Sequence, residues 1–547
     1  MKQRWWLILA VAVLSFFSGG WLLQQGVQND GGVYRQARLF DEVMSHVQAY
    51  YVDSLGEANL YTKATEGLLD QLQDPYSVLL QGESYQALTE TTTGNYGGLG
   101  IQIDVRDGWI TVVAPLPDTP AERAGVETGD QIVAIDGKST EGWKNDEAVR
   151  TLRGAAGSKV RLTVRRPGVA GPLEFALVRA LIHVRSVSPG TLFEHGVGYV
   201  SLNTVSETSA AELKAEIDSL RTKGMKALVL DLRGNPGGLL DQGVEVSDLF
   251  LDPKQEIVST RGRARGASRQ YFDELAQRWP DLPIVALVDV GSASAAEIIA
   301  GALQDHDRAV VVGVPTFGKG LVQSLFRLDD RTALKLTTAR WYTPSGRTIQ
   351  RTAADERDQV HQAELAAENG GLVPDSARAP EDTASLPEFK TDAGRTVRGG
   401  GGIVPDRIVR PDSFTTPERE FAKALGTNVP AYRDVLTSYA LEIKDRKSVT
   451  SPDFEVTPAM LSEVYRRLTA KGVTIPEPVY QGARELVGDQ LGYEIARYVF
   501  GRPAEFRRRA GDDRQLQAAV DLLQRASTPK ALLNLTMREA GSAANAN

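Results

Sequence analysis

Residues 283–290, Pro-Ile-Val-Ala-Leu-Val-Asp-Val, form a buried-looking apolar run that passes directly into Gly-Ser-Ala-Ser-Ala-Ala-Glu at 291–297. An apolar run closed by a turn of tiny residues reads as a strand covered on both faces. The turn carries Ser294 three positions before Glu297, the spacing of a capping box that opens a helix. After that helix and a second apolar strand near 309–312 comes Thr-Phe-Gly-Lys-Gly-Leu-Val-Gln at 316–323. Similar apolar strands at 197–202 and 227–231 alternate with helical patterns from 184 to 408, as expected of an α/β domain built on a mostly buried sheet.

Other patterns flank this domain. Phe40, Val43, Met44, Val47 and Tyr51 recur at helical spacing, as do Leu60, Ala64, Leu68 and Leu72, until Asp74-Pro75-Tyr76-Ser77 stops the second helix. From Gly94 glycine-punctuated short strands take over, at 101–105, 109–113, 131–135, 159–164 and 173–177, with short helices near 120–124 and 146–152. Residues 352–398 are a polar interruption, read as an inserted loop with some helix at most. Beyond 411 helical spacing returns, with Met460, Leu461, Val464, Tyr465 and Leu468 after Thr457-Pro458, and later Leu516, Val520 and Leu523. The small polar residues 540–547 are expected to be disordered. The resulting partition is 1–30 signal peptide or membrane anchor, 31–87 helical, 88–182 β-rich, 183–410 α/β, and 411–547 helical.

With 547 residues the chain is too long for one core, and its net charge of −8 with interspersed signs argues against nucleic acid and for protein or peptide partners. Cysteine is absent, which removes disulfides, thiolate nucleophiles and cysteine-held metals. Lys2 and Arg4 precede an apolar run over 5–23, an arrangement that orients the rest of the chain outside the cytoplasm. An exported protein held by an uncleaved membrane anchor is the expectation.

Ser294 would start its helix whether or not it reacts. The open space left by Ser292, Ala293, Ala295 and Ala296, and the helix N-terminus beside it, additionally suit a nucleophile whose oxyanion meets the amide of Ala295. Lys319 lies between Gly318 and Gly320, which can bring its amine into a tight pocket. A base lysine must be neutral, so it needs desolvation, for which Phe317, Leu321 and Val322 could form a wall, with Gln323 orienting the amine. The glycine loop Asp231-Leu-Arg-Gly-Asn-Pro-Gly-Gly offers Gly237 or Gly238 as a second oxyanion donor. A phosphate-binding loop at 313–320 fails, because Gly320 replaces the magnesium-binding Ser or Thr and the following residues alternate like a strand. His46, His183, His195, His306 and His361 form no zinc pattern; no metal or cofactor is expected. His306 is the alternative base for Ser294.

In the β-rich module, Tyr96-Gly97-Gly98-Leu99-Gly100-Ile101 leads into an alternating strand. Free amides at Gly98, Leu99, Gly100 and Ile101, facing Val149 and Leu152, suit capture of a C-terminal carboxylate with an apolar side chain.

Gly-Gly-Leu-Gly-Ile (97–101) with Pro-Ala-Glu-Arg-Ala-Gly-Val-Glu-Thr-Gly-Asp (120–130) resembles a bacterial PDZ domain. The glycine loop at 231–238, the serine turn at 291–297 and the lysine segment at 316–323, in that order and spacing, resemble the carboxy-terminal processing (tail-specific) peptidases over about residues 34–410. The resemblance implies a crotonase-like protease core, Ser294, Lys319 and Gln323 as the catalytic set, an export-side location, and a PDZ module that reads flexible substrate tails and gates the site. Two features depart from the family: the insertion between 342–347 and 402–406, and the long helical region after 411, a candidate for self-assembly or adaptor binding. A non-catalytic PDZ adaptor on a protease-like scaffold is the alternative.

Overall fold

The computed structural model describes residues 32–351, 385–411 and 414–544, and the chain divides into two compact units. The apolar run at 5–23 lies outside the described residues, among which no helix is long and apolar enough to cross a membrane.

The smaller unit joins residues up to Gly82 with 323–337. It holds a helix over 32–50, the helix Glu57–Asp70 and the strand Val78–Gln81, which pairs antiparallel with Thr332 to Lys335. Asp74 ends the helical run as expected, accepting from the Tyr76 amide at 3.1 Å and the Ser77 hydroxyl at 2.5 Å. The strand is a correction to an all-helical reading of 31–87. Of the periodic residues in the first helix only Met44 is buried; Phe40, Val43 and Tyr51 are exposed. The last part of 31–87, the helix Glu83–Thr93, belongs to the larger unit.

In the larger unit the central sheet runs Thr191–Leu192, Val197–Ser201, Ala227–Asp231, Ile284–Val288, Val310–Gly313, Arg407–Ile408. All pairings but the first are parallel. Ala227–Asp231 and Ile284–Val288 are buried at every position, so neither shows the alternation of a one-sided strand. One face packs on Leu213, Ile217, Val246, Ile298, Ile299 and Leu303 from three helices. The other face is covered by Leu516, Ala519, Leu522 and Leu523 of the helix Arg514–Gln524, together with Leu532. The end of the C-terminal region is therefore a layer of the α/β domain. A second, antiparallel group pairs Glu256–Gly262 with Arg269–Phe272 and with residues 339–342.

The β-rich module is a sheet of Ile101–Arg106, Trp109–Pro115, Gln131–Ile135, Lys159–Arg165 and Leu173–Val178, closed over Leu99, Ile110, Ile132, Ala148, Leu152 and Leu162. Helices between Thr416 and Ile495 form their own core around Phe421, Tyr432, Val464, Leu468, Tyr480 and Leu491. Within it, Pro458–Ala470 starts where expected, with Thr457 Oγ1 accepting from the Met460 amide at 3.3 Å. This bundle touches the β-rich module, where Lys444 Nζ donates to Thr128 O at 2.9 Å and Lys471 pairs with Asp107. Two local expectations change. The interruption at 352–398, whose first part to 384 lies outside the described residues, contains the hairpin Glu388–Lys390 and Thr396–Arg398; the last helix, Pro529–Ala544, covers residues expected to be disordered.

Candidate active site

Ser294 caps the helix Ala295–Asp305, every residue of which is buried, while the serine itself is only half-buried. Its backbone sits at φ 53°, ψ −116°. That positive φ is costly for a residue with a side chain, about 1–3 kcal/mol, and persists only where the surroundings impose it. The surroundings are visible: Asn235, fully buried, takes the Ala293 amide on its carbonyl at 2.9 Å, and Ser292 Oγ donates to Leu232 O at 2.8 Å.

Glu297 is the centre of the site. Its carboxylate, fully buried, accepts the Ser294 amide at 2.7 Å, the Thr316 hydroxyl at 2.5 Å, and the amides of Gly318 at 2.7 Å and Lys319 at 3.0 Å. Ser294 and Lys319 thus place their amides on the same oxygen, Oε2, so these two backbone nitrogens can be no further apart than those two bonds laid end to end. Burial raises the Glu297 pKa, and hydrogen bonds from Thr316, Gly318, Lys319 and Ser294 pull against that rise. As a capping-box residue Glu297 was legible in the sequence; its hold on the lysine segment was not.

The lysine segment is fastened from the other side as well. Arg351 Nε donates to Phe317 O at 2.9 Å, and its Nη2 to Thr316 O at 2.9 Å and Gly401 O at 2.7 Å. Trp341 Nε1 donates to Lys319 O at 3.0 Å, and Gln350 Oε1 accepts from the Gly320 amide at 2.8 Å. Gly318 is required here: φ is +88°, and a Cβ would lie 2.5 Å from Arg351 Cγ. Lys319 and its expected apolar neighbours Phe317, Leu321 and Val322 are half-buried. Gln323 belongs to the smaller unit, where its Nε2 donates to Thr337 Oγ1 at 3.3 Å.

The glycine loop lies against the serine turn. A Cβ on Gly237 would sit 2.8 Å from both Ser294 Cβ and the Ala295 nitrogen, so only glycine allows the approach. The Gly237 amide, one of the two expected donors, is already given to Asn235 Oδ1 at 2.9 Å. The amides of Gly238, which is exposed, and of Ala295 meet no acceptor among the described residues.

His306 ends the same helix at its far terminus, roughly 18 Å from Ser294 at 1.5 Å per residue. Its Nδ1 is 2.8 Å from Asp392 Oδ2 and its Nε2 2.7 Å from Glu256 O. That position removes it as the serine's base. Among the described residues no group of three or more His, Asp or Glu is placed to hold a metal.

In the β-rich module, Gly98, Leu99, Gly100, Ile101, Val149 and Leu152 all line one cavity of about 120 Å³, together with Tyr96, Ile103 and Arg153. The amides of Leu99 and Gly100 meet no acceptor among the described residues. Arg153 stacks over Tyr96, 4.8 Å from the ring centre, and pairs with Glu90.

A capped serine in a strained turn, an unspent amide at Gly238 and a lysine segment whose backbone is held by the same carboxylate lie together at this helix end. The profile of Peptidase family S41 matches residues 196–357, and that of a PDZ domain residues 111–166. A carboxy-terminal-processing protease of Bartonella bacilliformis is 42% identical over 326 residues, 59% of this chain and 74% of its relative. Carboxy-terminal processing protease CtpA of Bacillus subtilis is 35% identical over 358 residues, 65% of this chain and 74% of that protein. A solved photosystem II D1 C-terminal processing protease is 30% identical, covering 57% of this chain and 83% of that one, with a TM-score of 0.34. The chain belongs to the S41 carboxy-terminal processing proteases and carries their PDZ domain.

Proposed function

We propose that Ser294 is the nucleophile and Lys319 its general base in an endopeptidase that cleaves exported proteins at or near flexible C-termini. The neutral amine takes the hydroxyl proton as Oγ bonds to the scissile carbonyl carbon, and the carbonyl oxygen becomes an oxyanion facing the amides of Ala295 and Gly238. The protonated amine then gives its proton to the leaving nitrogen as the C–N bond breaks. Water, deprotonated by the same amine, releases the acyl group and returns the proton to Ser294. Gly237 contributes close approach.

The observation that carries this reading is the shared Glu297 carboxylate, which fixes the serine turn and the lysine segment to one point. Cleavage of β-casein tests it. Ser294→Ala and Lys319→Ala are expected to be inactive though folded, the lost cap costing about 1 kcal/mol, whereas His306→Ala remains active. Cleavage by Ser294→Ala, or loss in the histidine variant alone, would refute the assignment.

The PDZ cavity would take a substrate's terminal carboxylate on the Leu99 and Gly100 amides and its apolar side chain against Val149 and Leu152, with occupancy gating the protease core. Peptides with free C-termini should then be cleaved faster than their amidated counterparts. The N-terminal cations and apolar run support an extracytoplasmic enzyme anchored in the inner membrane, which cell fractionation would check.

A further inference from the structure

We infer that Asp513, in the C-terminal helical region, is a positioning residue for the oxyanion donors and acts through Arg233 of the glycine loop. The inference rests on the Ser294 reading above.

Arg233 stands four residues before Gly237 and five before Gly238. Its Nη2 lies 2.6 Å from Asp231 Oδ2 and 2.7 Å from Asp513 Oδ2, while Nη1 donates to Asp513 Oδ1 and Gln515 Oε1, each at 3.0 Å. The guanidinium fork is thus held on one side by its own loop and on the other by residues 280 and 282 positions away in sequence. With Arg233 only 19% exposed, these charge-assisted bonds are shielded from solvent.

Both ends of the clamp are anchored. Asp513 also accepts the Leu516 amide at 3.0 Å, capping the helix Arg514–Gln524 that covers the central sheet, and Gln515 Nε2 donates to Val409 O at 2.7 Å. On the loop side, Tyr199 OH donates to Asp231 Oδ2 at 2.8 Å, and the Tyr199 ring packs tilted against Phe506 with ring centres 4.6 Å apart, a second tie to the C-terminal region. From Arg233 the chain runs through Gly234, whose amide donates to Asp289 Oδ1 at 2.8 Å, and Asn235 to Gly237, which packs on Ser294, and to Gly238 beside it. Glycines at 234, 237 and 238 cannot hold a unique conformation alone, since all have positive φ open to many alternatives. The bonds to Asp289, Asn235 and Val205 fix the far part of the loop, and the clamp fixes its entry at Arg233, through which residues beyond 411 serve the reaction.

Asp513→Ser tests the inference, because serine keeps an oxygen able to cap the helix while deleting the carboxylate that holds Arg233. The readouts are kcat and KM on a β-casein peptide and the affinity of a peptide aldehyde, which binds as a tetrahedral hemiacetal. We expect kcat to fall about tenfold with KM within about twofold of wild type, and aldehyde affinity to fall with kcat, as for loss of an interaction made in the transition state. Asp513→Asn, which retains shape but not charge, should fall between. Unchanged kcat and aldehyde affinity, or a loss confined to KM, would overturn the clamp. If the serine variant does not fold, the same criteria apply to Asp513→Asn. Ser294→Ala is run beside them: its continued cleavage would sink the nucleophile assignment, whereas an inactive Ser294→Ala beside a wild-type Asp513→Ser would sink the clamp alone.

Discussion

The two ends of the helix Ala295–Asp305 spend their polar groups in opposite ways. At the C-terminal end the side chains are paired: Arg347 Nη2 binds Asp305 Oδ1 and Gln304 Oε1, each at 2.7 Å, Arg395 binds Asp307 and Asp406, each at 2.5 Å, and both nitrogens of His306 are engaged. Those bonds tie the segments 343–351 and 388–408 to the core. At the N-terminal end the amide of Ala295, like that of Gly238 beside it, meets no acceptor among the described residues, Ser294 sits in a strained conformation, and one carboxylate holds the turn in place. A rigid frame around unsatisfied donors is what a reaction centre needs, because the donors then meet developing charge without rearrangement.

The largest effect should come from the carboxylate that maintains the contrast. Glu297→Gln puts an NH₂ group against donors and should lower kcat by about a hundredfold or more through misplacement of the proposed nucleophile and base; near-normal turnover in the folded variant would break the comparison. Arg347→Met removes one partner of a buried pair at the other end and should cost about 3–5 kcal/mol in urea unfolding, while the folded fraction keeps its specific activity. Asp273 sharpens the rule from outside the helix. Its Oδ2 is buried with no hydrogen-bond donor among the described residues, and burial, with the Asp248 carboxyl beside it, pushes its pKa up to about 7. Between the unfolded value of about 3.9 and 7 the folded state binds the extra proton, so stability falls as pH rises through that window. Asp273→Asn should therefore raise the melting temperature over wild type more at pH 8 than at pH 5, with kcat unchanged. The smallest effect belongs to His306→Gln, whose cleavage of β-casein should stay within about twofold of wild type.

What could be read in advance follows the same division. The strand Ile284–Val288, the capping spacing of Ser294 and Glu297, and the need for glycine beside Lys319 are local, and each leaves a local pattern of apolar, small or glycine residues. The six residues singled out in the β-rich module line one cavity for the same reason, since a glycine loop entering an alternating strand is a short-range signal. Glu297 reaching Lys319, and Arg233 reaching Asp513, leave no periodicity, because each joins segments brought together only by the sheet. Helical spacing at Phe40 and Val43 found the helix but says nothing of their exposure, since a repeat identifies a face and not what covers it. Composition likewise failed at Ala540 to Ala544, where small residues continue a helix.

The most direct test of the account is to locate the acyl-enzyme. With an activated peptide ester, acid quenching and tandem mass spectrometry, the acyl group should be found on Ser294 of the wild-type protein and should form far more slowly in Lys319→Ala and Glu297→Gln. Acylation of another residue such as Ser292, or of Ser294 at the wild-type rate in Lys319→Ala, would contradict it.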